Sequence, residues 1–86
     1  MNNVVCVGRS KPVMSYVLAV ILKLNESDTV IVKAFGKATS NAIDVALTTG
    51  KYVVGASIKD IHVSNKIIKS KHGESSISVI EITLIK

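Results

Sequence analysis

The chain has 86 residues, 48% hydrophobic and 20% charged, which is enough for one hydrophobic core but not two and too apolar for a disordered segment. Eleven Lys and Arg against six Asp and Glu give a formal net charge of +5, a balance that favours polyanionic partners without specifying a fold. One cysteine, Cys6, and two histidines exclude an internal disulfide and a Cys-rich zinc site, and the longest apolar run, residues 16–22, is far short of the roughly 20 residues of a membrane span.

The N-terminus lacks a basic segment followed by an apolar stretch, so no signal peptide is read there. The expectation is a single domain over residues 1–86, soluble, cytoplasmic, with no membrane partner, cofactor or metal. At this size a monomeric core supplies only a few kcal/mol, roughly 3 to 5, so a homodimer is expected as well.

Val4 to Val7 is a short β-branched run closed by Gly8, the pattern of a buried strand with an abrupt exit. Cys6, between Val5 and Val7, is expected to be buried in it. Pro12 suits a helix start, where no backbone N–H is needed, with Ser10 or Lys11 in the capping region. Val13, Met14, Val17, Leu18, Val20, Ile21 and Leu24 then give a helix with a wide apolar face. Asn25 to Asp28 form a polar break, and residues 29–34 read as a second strand.

Gly36 ends that strand, and residues 38–47 resume helical spacing, with Ala42, Ile43, Ala46 and Leu47 on one side. Whether residues 52–54 extend this helix or form a loop before Gly55 is open on the sequence. Residues 57–64 and 77–85 read as two strands of a hairpin, the latter with Ile80, Ile82 and Leu84 on its buried face. Between them, residues 65–76 are too long and polar for a tight two-residue turn and predict an extended, mobile β arm reversing at Gly73. The order βαβαββ fits a two-layer α/β sandwich, with two helices on one face of a four-stranded mixed sheet and a long β-hairpin arm.

The chemistry is that of a binding surface. The six carboxylates, Glu26, Asp28, Asp44, Asp60, Glu74 and Glu81, are scattered over turns and strands without a pair placed for acid and base work. His62 and His72 have no ligand-type neighbours at metal spacing, and Ser10, Ser40 and Cys6 lack a base in any nucleophile motif; an enzyme is not expected. The loop Gly8-Arg9-Ser10-Lys11-Pro12 joins a strand to a helix start but lacks the spacings that cradle a nucleotide. It retains a weaker property, since helix N-termini favour anions and Arg9 and Lys11 add charge, so it suits one backbone phosphate. The same holds for Gly36 and Lys37 before the second helix.

Both turns should leave the sheet at one edge, bringing Arg9, Lys11, Lys33 and Lys37 onto a common surface. Lys66, Lys69 and Lys71 add a basic arm narrow enough to follow a groove. Phe35, Tyr16 and Tyr52 are the only aromatics, too few for a base-stacking platform, so backbone recognition is favoured.

The run from Val4 through Gly8-Arg9-Ser10-Lys11-Pro12-Val13-Met14-Ser15-Tyr16-Val17-Leu18-Ala19 resembles the opening of Alba (Sac10b-type) proteins, where an apolar strand leads into G-K-K-P-V-M-N-Y-V-L-A. Ile31-Val32-Lys33-Ala34-Phe35-Gly36-Lys37-Ala38-Thr39-Ser40-Asn41-Ala42-Ile43-Asp44 is similar to the family's I-K-A-R-G-R-A-I-S-K-A-V-D, and residues 77–84 to its closing strand. The resemblance spans essentially the whole chain in the same element order.

It implies a homodimer that binds double-stranded DNA, and often RNA, with little sequence preference, coating or compacting DNA as archaeal chromatin and assembling along it. By the same resemblance Lys11 matches a phosphate-contacting lysine in a loop whose lysines can be acetylated, Ser10 or Arg9 stands for the other loop lysine, and Lys37 matches a basic position after the glycine. Asn41 stands where a lysine is common, and residues 66–72 lie in the arm that reaches toward the minor groove. Three departures stand out: the loop is one residue longer than G-K-K, and Phe35 and Asn41 replace basic residues, lowering the positive charge. The alternatives are an RNA-binding component of a ribonucleoprotein, reading A-form shape and 2′-hydroxyls, and an assembly module whose charge only keeps it soluble.

Overall fold

A computed structural model describes residues 3–86; the first two residues of the domain expected over 1–86 lie outside that range. The order is β1 (Val4–Val7), α1 (Val13–Glu26), β2 (Thr29–Phe35), a 3-10 turn (Gly36–Ala38), α2 (Thr39–Tyr52), β3 (Ser57–Ser70) and β4 (Gly73–Ile85). Sheet order is β1-β2-β4-β3. β1 and β2 run parallel, while β4 is antiparallel to both of its neighbours, so the sheet is mixed as expected.

Two-residue alternation decides which side chains meet the helices. Val30, Val32 and Ala34 of β2 and Ile80, Ile82 and Leu84 of β4 are buried beneath Val17, Val20 and Leu24 of α1 and Ala42, Val45 and Ala46 of α2. The alanines keep α2 slim on its inner side, and the buried Thr49 hydroxyl donates to the Val45 carbonyl at 2.8 Å, so no polar group is stranded in that layer. Both helices cover the same face, as the βαβαββ reading requires. The boundary left open resolves simply: α2 runs to Tyr52, and Val53 closes it, its N–H bonded to the Thr49 carbonyl.

Two expectations need correction. Cys6 is exposed, because β1 is an edge strand whose Val5 and Val7 face the helices while Cys6 points to the uncovered face. Residues 65–76 form the expected β arm, but they reverse in the tight turn that the sequence argued against. The β3–β4 ladder continues unbroken from Asn65 opposite Ser78 out to Ser70 opposite Gly73, and the reversal is a two-residue turn at Lys71 and His72. Gly73 adopts φ +113°, a value open to glycine and costly for other residues, and the Ser70 hydroxyl donates to the Gly73 carbonyl and accepts from the His72 N–H. The polar composition that argued against a tight turn belongs to a ribbon wetted on both faces. This arm draws the molecule out to 47 × 23 × 21 Å.

The helices leave an apolar surplus. Their apolar faces are wider than the sheet can cover, and Met14, Leu18 and Leu22 of α1 and Ile43 and Leu47 of α2 remain exposed. On β3 an irregularity between Ile58 and Asp60 inserts Lys59 as an extra residue. Ile58 and Ile61, three apart, therefore both point to the helix side, opposite Leu84 and Ile82, and Val63 follows them. No helix lies over this edge strand, so Ile61 and Val63 remain 52% and 65% exposed.

Candidate nucleic-acid interface

Strand direction gathers the candidate residues at one edge of the sheet. Val7 pairs with Ala34, so the loop of Arg9, Ser10 and Lys11 and the turn of Gly36 and Lys37 leave the sheet side by side. Phe35 pairs with Val79 and Val79 with Ser64; β3 is parallel to β2, so its extension past Ser64, the arm, projects from this same edge. Three basic segments remote in sequence thus share one end of the molecule. Arg9, Ser10, Lys11, Lys37, Lys66, Lys69 and Lys71 are all exposed.

Hydrogen bonding fixes the first two segments to each other. The half-buried Asn41 in the first turns of α2 donates from Nδ2 to the Gly8 carbonyl at 3.1 Å. Its side chain is thus engaged with the loop backbone. Gly8 also lies close under α1, where a Cβ would come within 3.2 Å of the Tyr16 hydroxyl.

The helix starts are electrostatically bare. α1 begins after Pro12 without a side-chain cap, α2 begins after Ala38 likewise, and neither has an acidic residue in its first turn. Helix N-termini ordinarily attract Asp or Glu to offset the positive end of the dipole; here that end is uncompensated and Arg9, Lys11 and Lys37 add to it, which suits anionic phosphate oxygens.

Gly36 sets the angle of the second segment. Its φ is +56°, and a Cβ there would come within 3.1 Å of Ile77 Cδ1 at the root of the arm. In the arm Lys66 stands opposite Ile77 and Lys69 opposite Glu74, with Lys71 in the turn, so three lysines face one carboxylate along the ribbon.

Lys33 departs from the expected loop cluster. It lies within β2 on the face away from the helices, between Cys6 and Glu81 in register, and its ammonium stands 5.4 Å from the centre of the Phe35 ring. Lys66 reaches the same ring from the arm, at 5.9 Å. Sequence reasoning missed this grouping. Alternation along β2 places Lys33 and Phe35 on one face and was available; Lys66 joins them only through the β3–β4 register.

Among the described residues no group of three His, Cys, Asp or Glu side chains is placed to hold a metal ion, and no described helix is long and apolar enough to cross a membrane.

The arrangement is that of a small α/β protein presenting two bare, basic helix starts and a β-ribbon arm at one sheet edge. The chain belongs to the Alba family, whose model matches residues 3–70. It is 44% identical to "DNA/RNA-binding protein Alba 1" of Archaeoglobus fulgidus, covering 99% of this chain and 97% of that protein. It is also 44% identical to "DNA/RNA-binding protein Alba" of Methanococcus maripaludis, with both chains covered in full, 100%. Among solved structures, Alba from Thermoplasma volcanium superimposes with a TM-score of 0.87 at 40% identity, over 98% of this chain and all, 100%, of that one. A Trypanosoma brucei Alba protein shares the fold with a TM-score of 0.79 at 24% identity, over 100% of this chain and 70% of that one.

Proposed function

We propose that this chain binds nucleic acid through its phosphate backbone with little regard to sequence, coating or compacting double-stranded DNA and also binding RNA, without catalysing a reaction. The observation that carries the reading is the convergence of Arg9, Ser10, Lys11 and Lys37, at helix starts free of acidic residues, with the lysines of the arm at one sheet edge. Phosphate contacts of this kind position a protein on the duplex and carry no base information. The names of its relatives support the same reading, and they pair DNA with RNA.

The working unit is a homodimer. Ile61 and Val63 of β3, with Leu47 of α2 at 55% exposure, leave an apolar strip beside the sheet edge. A second copy related by a twofold axis would cover its own strip with the same residues, each half-exposed side chain contributing about 1 kcal/mol on burial. The dimer then carries two arms and two sets of helix starts, and further association along DNA and residence on the chromosome follow from the same basic surface. Lys11 is exposed beside the α1 start, and its acetylation would remove one phosphate-seeking charge.

The test is a salt titration with matched DNA and RNA duplexes. Each phosphate neutralised on duplex DNA steepens the log–log slope by about 0.9, so affinity must fall steeply with salt; a flat response would falsify the reading. Direct competition between the two duplexes decides whether DNA or RNA is the preferred partner, and preference for RNA would favour the ribonucleoprotein alternative.

A further inference from the structure

We propose that Phe35, with Lys33 and Lys66, is a seat for one unpaired nucleobase, so that the uncovered sheet face at the root of the arm takes single-stranded DNA or RNA while the loops hold duplex backbone. The inference rests on the nucleic-acid-binding reading and adds a second ligand class to it.

Phe35 is the last residue of β2, where alternation sends Val30, Val32 and Ala34 to the helices and Ile31, Lys33 and Phe35 to the other face. The helix-side core therefore gains nothing from this ring. It remains 37% exposed, with Val79 beside it on β4 and Ser64 next in the same cross-strand row. The buried Val79 supplies a firm floor, and the small Ser64 leaves space on the arm side.

Two ammonium groups stand over the ring, at 5.4 and 5.9 Å. An exposed lysine–ring contact is worth a factor of roughly 2 to 5 in an equilibrium, whereas a base stacked on an aromatic ring is worth roughly 5 to 100. A base thus displaces one lysine from the ring at a net gain, and the freed ammonium is already beside the strand's own phosphates. An apolar ligand would forfeit this second contribution, and an anion without a π-face would forfeit the first. Bases inside an intact duplex already stack on each other, and extracting one is costly, so the seat selects unpaired stretches. One ring is not a platform: it reads a single base and adds to binding made elsewhere.

The chain has no tryptophan, so Phe35→Trp places a single indole at the seat, which is excited selectively beyond the absorption of the two tyrosines. Binding of unlabelled oligothymidine and oligouridine is expected to quench it, while relaxed circular duplex DNA, which has no ends, and heparin, which has charge but no bases, bind without quenching. Phe35→Leu, checked for an unchanged unfolding transition, is expected to lose roughly 5- to 100-fold in single-strand affinity with duplex affinity within about twofold of the parent. Single-strand binding without quenching, or a Phe35→Leu variant with undiminished single-strand affinity, overturns the seat while leaving duplex binding in place. Failure of every nucleic acid to bind removes both the seat and the function on which it rests. Quenching by one oligonucleotide alone supports the seat and shows that it discriminates between nucleotides that differ in the 2′-hydroxyl and the 5-methyl group.

Discussion

Asn41 and Gly8, 33 residues apart, are joined by a 3.1 Å hydrogen bond from the amide side chain to the backbone carbonyl. The bond ties the first turns of α2 to the end of β1, so the two basic segments cannot swing independently. Replacing Asn41 with Ala leaves a part-buried carbonyl without this partner. The expected loss is about 1 kcal/mol of stability, a fall in Tm of roughly 4 to 8 °C for a domain of this size. Affinity for unrelated duplexes should decline together, since what is lost is position. A Tm within a degree of the parent would show that the bond does not hold the loop.

Gly36→Ala meets two obstacles at once. A φ of +56° strains any residue with a Cβ by about 1 kcal/mol or more, and the new methyl would press on Ile77 at 3.1 Å. Urea unfolding should show a loss of about 1 to 2 kcal/mol. An unchanged midpoint would mean that the turn relaxes freely and does not brace the arm.

Lys11→Ala and Lys37→Ala, singly, should each reduce the magnitude of the salt slope for duplex binding by about 1, equally on unrelated sequences. Both residues are exposed, so neither change should move the unfolding transition appreciably. Weakening confined to one sequence would assign these lysines to base readout.

Leu47→Glu places a carboxylate in the apolar strip shared by α2 and β3. If that strip is the dimer face, burying the charge is prohibitive, and sedimentation equilibrium should show the variant as a monomer at concentrations where the parent is a dimer. A dimeric variant would place the contact elsewhere, with the Met14, Leu18 and Leu22 stripe of α1 the next surface to alter.

Much of this fold is legible in the sequence because its signals are local. Gly8 and Pro12 bracket the first strand-to-helix passage, Gly36 marks the second, and the alternation of Ile80, Ile82 and Leu84 gives the inner face of β4. What failed depended on neighbours. Alternation turns Cys6 away from Val5 and Val7, but its exposure follows from an edge position on an uncovered face, which no feature of its own four residues declares. The arm carries a polar composition in either conformation, and only pairing with the opposite limb makes it strand to Ser70. Ile58 and Ile61 share a face because of one inserted residue. The basic candidates were readable by type, whereas the meeting of Phe35 with Lys66 required register across two strands.

The strand that comes last in the chain, β4, sits in the interior of the sheet, between β2 and β3. Everything before it amounts to a parallel pair with two helices and a detached strand, and the gap between them is filled only by Ile80, Ile82 and Leu84, all buried. On a ribosome delivering residues in order, the core therefore stays open until Gly73 to Ile85 emerge, and the basic edge takes shape in the same step. Until then the loops of Arg9 and Lys37 and the lysines of the arm are not held on one frame, so the basic surface arrives together with the closed sheet and not before it.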